Sequence, residues 1–470
     1  MSETREWYAA RPKLSSSDPY IENFFRYRWE NLEKMTFAFE GVPYLPHPGV
    51  YEGLSCFRRH ITYSAFAHML ELRWLHNPSI AQGSLLNFIA NQRMDGSFPG
   101  HIGPSDDPRF VGPHPESFYH ANWGRSVLEL HLLNPSRPFW EKIYPALARY
   151  ASYFKRERDR ENSYLSTVVN HFETGQEFSP RYLAVDPTCA KAEWENRFQL
   201  KGVDATVYVY ELYRALSKVA LAIGNRGSSI FWDITADHIK KQVRKCMWDP
   251  KEEMFFDVDP RTMTRTGVKA LTCFYPYFTD IVTKKHLHGL KKHLFNPAEF
   301  WTPYPFSTLS IDNPDFSADG IWKGKKEVCP WNGRVWPMTN SHTAEAMAQC
   351  AIRFNDQELR ERFVEFFNKW MQMMCFGGDP SRPNSFEHYS PFDGSPSTKE
   401  NGFNNVNDYL HSWINDLIIK YVAGFRPQMD GTFVVDPFPF NIDLQLKNIT
   451  HMGRKIDIFI ANGKARVESQ

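Results

Sequence analysis

Apolar residues recur at three- and four-residue spacing along most of this chain. That periodicity predicts helices over 63–75, 82–92, 118–132, 139–156, 203–223, 228–247, 341–354, 356–374 and 405–423. Between successive pairs run connections rich in Pro, Gly, Asp and aromatic residues, such as 95–101 and 321–337, which are longer than ordinary loops. Long ordered connections on a helical scaffold usually carry function. Helical hairpins joined by alternating short and long connections predict an all-α toroid of paired helices, with the long connections gathered at one end around a pocket. After about residue 424 the pattern changes to short strands, over 427–439 and 444–460, with turns at Gly431 and Gly453. The expected organisation is an N-terminal extension over 1–54 packed on the barrel, a helical body over 55–424, and a small C-terminal β segment over 425–470.

Charge and cysteine usage narrow the partners. Lys+Arg 55 against Asp+Glu 54 leaves a formal net charge of +1, and no run of five like charges marks a nucleic-acid or membrane partner. The seven cysteines, Cys56, Cys189, Cys246, Cys273, Cys329, Cys350 and Cys375, are odd in number and form no C-x-x-C pair. Neither a zinc ribbon nor a disulfide framework is predicted, and reduced thiols in a cytoplasm are expected. The start of the chain lacks a basic segment followed by an apolar core, and no apolar run is long enough to span a membrane. A cytoplasmic protein favours a small substrate over a polymer. Aromatic content is 15%, with 14 Trp, 21 Tyr and 37 Phe. Most of these rings fill a core, but apolar ring faces also pack against the C–H faces of sugars.

Two carboxylate islands carry the candidate chemistry: Glu173-Thr174-Gly175-Gln176-Glu177-Phe178-Ser179-Pro180-Arg181-Tyr182 and Glu387-His388-Tyr389-Ser390-Pro391-Phe392-Asp393-Gly394. Glycosidic bond hydrolysis needs two acids, one to protonate the departing oxygen and one to activate water or attack carbon. Phe178 and Tyr182 can wall an acid and raise its pKa, and Arg181 can hold a hydroxyl or the second acid. The plain alternative is a local salt bridge from Arg181 to Glu173 or Glu177. Arg181, Arg334, Arg58 and Arg59 suit a substrate carboxylate, although Arg58 and Arg59 are equally read as partners of surface acids. Trp123, Trp331, Trp336, Tyr389 and Trp413 are candidate sugar platforms, and the helical spacing of Trp413 also fits a core position. His114, His120, His342, His388 and His411 fall near the same loops, which keeps open a sugar isomerase, epimerase or lyase using histidine or tyrosine as proton carrier. No helical zinc pair occurs, Asp312, Asp315 and Asp393 lack calcium-loop spacing, and no Gly-rich phosphate loop is present. No metal or cofactor is expected.

The first island resembles the E-S-G-W-D-x-S-x-R-W signature of trehalases and of glycoside hydrolase family 63, which includes mannosylglycerate and glucosylglycerate hydrolases. Further stretches agree in order. Val203-Asp204-Ala205 is similar to the family's V-D-L-N helix, Trp248-Asp249-Pro250 to its W-D segment, and Trp331-Asn332-Gly333-Arg334-Val335-Trp336-Pro337 to its W-x-G-P-V-W-P motif. The second island is similar to E-x-Y-x-P-x-T-G, and Pro437-Phe438-Pro439-Phe440 to the closing β segment. The resemblance runs over roughly residues 55–465. It implies an (α/α)6 barrel and an inverting glycosidase for a small α-glycoside, an α-glucoside or α-mannoside such as a disaccharide or glycosylglycerate. Glu177 is then the general acid and Glu387 the general base, about 6.5–9.5 Å apart. It also implies Arg181, Tyr182, Trp123, Gln176, Trp331, Asn332, Arg334, Trp336, Tyr389 and His388 as substrate-binding residues.

Three positions depart from the pattern. The family's acid is Asp where Glu177 stands, a reach longer by about 1.5 Å; Gln176 replaces Trp and Arg334 replaces Pro. Glu173, Asp186 and Glu193 are the nearby alternatives to Glu177. A non-catalytic sugar-binding protein is a further alternative, and a homo-oligomer is compatible with the chain.

Overall fold

The computed structural model of the chain describes residues 2–54, 57–103, 112–191 and 197–469. Cys56, Glu193 and the expected domain start at residue 55 lie outside these residues. The inner layer is formed by Thr62–Leu72, Trp123–Leu133, Val203–Ala222, the 3₁₀ helix Leu271–Phe278, Pro337–Arg353 and Ile414–Leu417, which continues into Ile418–Val422. Each packs on the next, and the last packs back on the first, so the ring is closed. Ser79–Ala90, Arg137–Tyr153, Arg226–Gln242, Leu287–Leu294, Gln357–Met373 and Pro19–Met35 form the outer layer. This is the toroid of paired helices expected from the hairpin pattern, in the (α/α)6 form that the family resemblance implies.

Burial separates the layers. Most side chains of Val203–Ala222 and Pro337–Arg353 are buried. Gln357–Met373 instead buries one stripe, Leu359, Phe363, Phe366, Phe367, Trp370, Met371 and Met373, as an amphipathic outer helix should.

The sixth outer position departs from a simple hairpin repeat, because it is filled from the N-terminus. Asp18 caps Pro19–Met35 by accepting the Tyr20 and Ile21 N–H groups. From its buried face Arg28 pairs with Glu71 at 2.8 Å and donates to the carbonyl oxygens of Tyr409 and Ser412 at 3.2 and 2.6 Å. A buried arginine in the middle of the apolar stripe is why periodicity missed this helix. Leu271–Phe278 was missed for the opposite reason: all of its side chains are buried, so no polar phase exposes a period. The helix predicted over 405–423 begins only at Ile414. Upstream of it the chain is pulled out of helix by pairing with other loops, Tyr409 N–H donating to Ser385 and Leu410 N–H to Glu52.

The C-terminal strands Leu444–His451, Arg454–Ala461 and Lys464–Ser469 form an antiparallel sheet that recruits Lys13–Ser16 from the other end of the chain. Phe425–Pro427 and Phe433–Val435 pair as a separate hairpin. A further four-stranded sheet, built from Thr167–Val168, Leu200–Lys201, Val258–Asp259 and Thr264–Arg265, lies among the barrel loops and flanks the first carboxylate island. Among the described residues no helix is long and apolar enough to cross a membrane.

Candidate active site

The inner helices run parallel, since each is followed by an outer return, and the segments entering them meet at one end of the barrel. One cavity there is lined by Glu52, Phe57, Ile61, Tyr63, Tyr119, Gly175, Glu177, Cys329, Trp331, Trp336, Glu387, Tyr409 and His411. Every one of these residues lies in a segment leading into an inner helix, or in that helix's first turn. The cavity therefore faces the positive ends of several helix dipoles, which favour negative charge.

The loop carrying Glu177 is shaped by its own sequence. Asn170 caps the short turn His171–Thr174, which ends at Gly175 with φ +62°. A Cβ on Gly175 would stand 2.8 Å from the Tyr63 ring, so only glycine permits this approach. Arg181 then anchors the loop from behind. It donates to both oxygens of Asp204 (2.9 and 2.7 Å) and of Asp257 (2.7 and 3.0 Å), and to the Gln176 side-chain oxygen at 3.1 Å. All five guanidinium N–H groups are thereby used within the protein. Asp257 in turn accepts the Val203 N–H at 2.8 Å, so the same cluster starts an inner helix.

The other loops are tied to this one. Trp331 N–H donates to the Glu177 carbonyl at 3.2 Å, and Val335 and Tyr389 exchange both backbone hydrogen bonds at 2.9 Å. The segment bearing Trp331 and Trp336 is thus fixed against both acids. The two indoles stack with centroids 3.8 Å apart, and Trp336 Nε1 donates to Pro330.

Glu387 is 2% exposed, whereas Glu177 is half-buried. Burial pushes the Glu177 carboxyl up to about 7 and that of Glu387 up to about 8. The negative charge of Glu52 raises both further, and that of Glu177 adds to the rise at Glu387. Glu387 is thus raised at least as far as Glu177, so burial alone does not leave Glu387 as the ionised member. Cys329 Sγ lies 3.7 Å from Glu177 Oε2 and is also a hydrogen-bonding neighbour of Glu387. Burial and the two acids hold this thiol well above its usual range. Cys329 in the folded protein should therefore resist iodoacetamide at pH 8 and react only on unfolding, which mass spectrometry of alkylated peptides would read out.

Of the residues expected to bind substrate, Trp331 and Trp336 reach the cavity wall; the others stand behind it. Gln176 is held by Arg181 and Asp204. Tyr182 stacks on Phe198 and bonds Thr174. Trp123 is buried against Phe88 at the foot of its helix. Asn332 donates to the carbonyl oxygens of Asp315 and Ile321. Arg334 donates to His388 Nδ1 at 2.6 Å and to the carbonyl oxygens of Ala318 and Ser395, and its guanidinium lies over the Phe403 ring. His388 also bonds the Val328 carbonyl through Nε2, which leaves neither ring nitrogen for a ligand. Tyr389 faces a different hollow and donates to the Asn384 carbonyl.

Glu173 is paired with Arg158, and Asp186 caps an exposed turn. His342 is engaged by Tyr208 and Met338, and of the candidate histidines only His411 lines the cavity. Trp413 is core, packed on Phe66 and His342. Asp312 and Asp315 pair with Lys269 and Lys323, and among the described residues no group of three His, Cys, Asp or Glu side chains is placed to hold a metal.

The spacing of the motifs did not point to Glu52, Tyr63, Tyr119, Cys329 or Tyr409. Glu52 could have been found by asking which other Pro/Gly/aromatic connection carries an acid, since Leu45-Pro46-His47-Pro48-Gly49-Val50-Tyr51-Glu52-Gly53 is such a segment just before the first barrel helix.

A helical barrel whose loop end gathers buried acids from distant segments against stacked tryptophans defines a glycoside hydrolase of the barrel type. The family model of the mannosylglycerate hydrolase MGH1-like glycoside hydrolase domain matches residues 59–412, and the chain belongs to that family.

Among solved structures it is similar to a sialidase (TM-score 0.78, 19% identity, covering 100% of this chain and 41% of the other). It is also similar to a GH63 mannosylglycerate hydrolase from Thermus thermophilus (TM-score 0.64, 15% identity, covering 84% of this chain and 98% of the other), solved in complex with glucose. A protein of Borreliella burgdorferi is 24% identical over 179 residues, which span 38% of this chain and 34% of that protein.

Proposed function

We propose that this chain is an inverting hydrolase of a small α-glycoside, with Glu177 as general acid and Glu387 as general base. The observation that carries this is the convergence of these two buried carboxyls on one tryptophan-walled cavity, with the Cys329 thiol between them. Trp331 and Trp336 supply the apolar face a pyranose needs. Glu177, the more open of the two, is placed to protonate the leaving oxygen and Glu387 to activate the water on the opposite side. Because Glu387 is raised at least as far as Glu177, these roles use the minor singly protonated form of the pair, with the proton on Glu177. The six described cysteines form no disulfide, which supports a reducing, cytoplasmic setting for such a substrate. The Thermus relative's name points to glycosylglycerates as the first substrates to try.

The test is proton NMR of the protein with trehalose, kojibiose, sucrose, glucosylglycerate and mannosylglycerate. Initial release of a β-anomer, lost in E177Q and in E387Q, is the expected result; an α-anomer, or a rearranged sugar with no bond cleaved, would defeat it.

The pH profile follows from the same pair. Turnover needs one carboxyl protonated and the other ionised. Both hold protons well below pH 7 and both lose them well above pH 8. kcat/KM should therefore peak between about pH 7 and 8 and fall on both sides, with limbs that belong to the coupled acids jointly. Rates measured from pH 5 to 10 check this.

A further inference from the structure

Glu52 is a third acid in the cavity, contributed by the segment before the first barrel helix and placed there independently of both islands. It is 3% exposed. Its Oε1 accepts the Tyr409 hydroxyl at 2.6 Å, and its backbone is held from both sides: its N–H donates to Arg59 and its carbonyl accepts from Leu410. Its Oε2 is buried and makes no hydrogen bond. The neighbouring Ser64 hydroxyl donates instead to the Ile61 carbonyl at 3.3 Å. A buried carboxylate oxygen without a donor is costly, and burial accordingly pushes the Glu52 carboxyl up to about 7, a cost that a ligand hydroxyl donating to Oε2 would relieve.

Two more buried groups around the same cavity lack a well-formed hydrogen bond, the Tyr63 hydroxyl, which neighbours Gln176, and the Trp331 indole N–H, which neighbours Glu177 and Cys329. Together they present one strong acceptor and two donors, which is the hydrogen-bonding pattern of a sugar ring bearing free hydroxyls. No Lys or Arg lines the cavity among the described residues: of the four arginines expected to meet a substrate carboxylate, Arg181 and Arg334 are spent on protein partners, Arg58 lies over the Tyr51 ring, and Arg59 acts on Glu52 through its charge from outside the cavity lining.

We propose that Glu52 is a specificity-determining residue, whose free carboxylate oxygen accepts a glycone hydroxyl so that the site takes uncharged sugars and rejects sugar acids. This rests on one part of the proposed function alone, that the cavity is a sugar subsite, and not on the bond being cleaved there. A neutral hydroxyl satisfies Oε2 and adds no charge. A uronic acid would bring a fourth acidic group beside Glu52, Glu177 and Glu387, whose carboxyls burial already pushes up to about 7, 7 and 8, and Arg59, whose charge partly offsets Glu52, does not line the cavity.

Binding separates this proposal from the hydrolytic one, because free sugars bind without being cleaved. Dissociation constants would be measured by calorimetry for D-glucose, D-mannose and L-arabinose, and for D-glucuronate and D-mannuronate. The proteins would be the wild type and E52Q, whose amide oxygen can still accept from Tyr409 while the other atom becomes a donor. The expected result is that at least one neutral sugar binds and that its uronate, where it has one in the set, binds at least tenfold more weakly. E52Q should weaken the neutral sugar by about 10- to 100-fold, the scale of a lost hydrogen bond to a charged group, and narrow the gap to the uronate.

If E52Q does not fold, E52D, which withdraws the carboxyl by about 1.5 Å, should weaken neutral sugars in the same direction. Glucuronate or mannuronate binding as tightly as its hexose would overturn the proposal. So would an unchanged neutral-sugar constant in E52Q, no binding of any neutral sugar, or an E52Q protein that binds normally but has lost turnover, which would make Glu52 a catalytic acid instead. Loss of turnover in E177Q and E387Q with hexose binding retained would leave both proposals standing. Absence of hydrolysis in the wild type with the same binding preference would remove only the hydrolytic one.

Discussion

E387Q is expected to lower kcat by about 10²–10⁴-fold, the usual contribution of a positioned general base, while making the protein more stable at alkaline pH. The two effects share a cause. Burial holds the Glu387 proton up to about pH 8 in the folded state, whereas an unfolded carboxyl releases it near pH 4.3. Between those values the folded state binds more protons than the unfolded one, so stability is greatest below the unfolded pKa and is lost as pH rises toward about 8. Glutamine does not titrate and escapes that loss. The difference in Tm between E387Q and wild type should thus widen in favour of the variant from pH 5 to pH 8.5. Retention of turnover within tenfold of wild type would remove Glu387 from the chemistry, and a pH-independent Tm difference would refute the account of its burial.

Replacing Arg181 should be the most damaging change for stability. R181M leaves Asp204 and Asp257 buried without their counter-charge, and breaking a buried ion pair in this way costs about 3–5 kcal/mol. Asp257 also receives the first N–H of Val203–Ala222, so the damage reaches the start of an inner helix. Urea unfolding measures the loss. R181K keeps the charge but cannot reproduce five directed donors, and should fall between wild type and R181M. Had Arg181 gripped the substrate, R181K would instead keep wild-type stability and raise KM. The expected outcome is reduced stability, with KM little changed in the protein that remains folded.

These two residues mark what could be read from the chain and what could not. Both acids were legible because each sits in a loop whose own neighbours, Gly175 and Pro180 or Tyr389 and Pro391, set the local turn. Trp331 and Trp336, in a loop of the same kind, were legible too, whereas Trp123 and Trp413, offered beside them, fold into the core. The role of Arg181 was not, since its partners are contributed from 23 and 76 residues away, and a sequence does not show which acids a cation will meet once buried. Arg334 and His388 repeat the lesson: they look like a cation and a proton carrier, and folding turns them to one another. Most barrel helices were legible from their periodicity. The exceptions were the helix that carries a charge on its buried face, the one with no exposed face at all, and Leu287–Leu294, whose eight residues are too few to establish a period.

The sixth outer position is occupied by the first long helix of the chain, which contacts residues added almost four hundred positions later: Arg28 reaches Ser412, and Asn415 bonds Phe25. A chain emerging from the ribosome can pair Arg28 with Glu71 early, but Pro19–Met35 lacks its remaining partners until the last inner helix has been made. Ring closure becomes a late and collective event, slow for the same reason that all distant pairings are slow. A nascent chain halted short of Ile414 would carry an open circle with its apolar inner surface uncovered, a natural client for chaperones and proteases. The two sides of the closing seam are thereby synthesised at opposite ends of the chain, and the ring is completed only when the second meets the first.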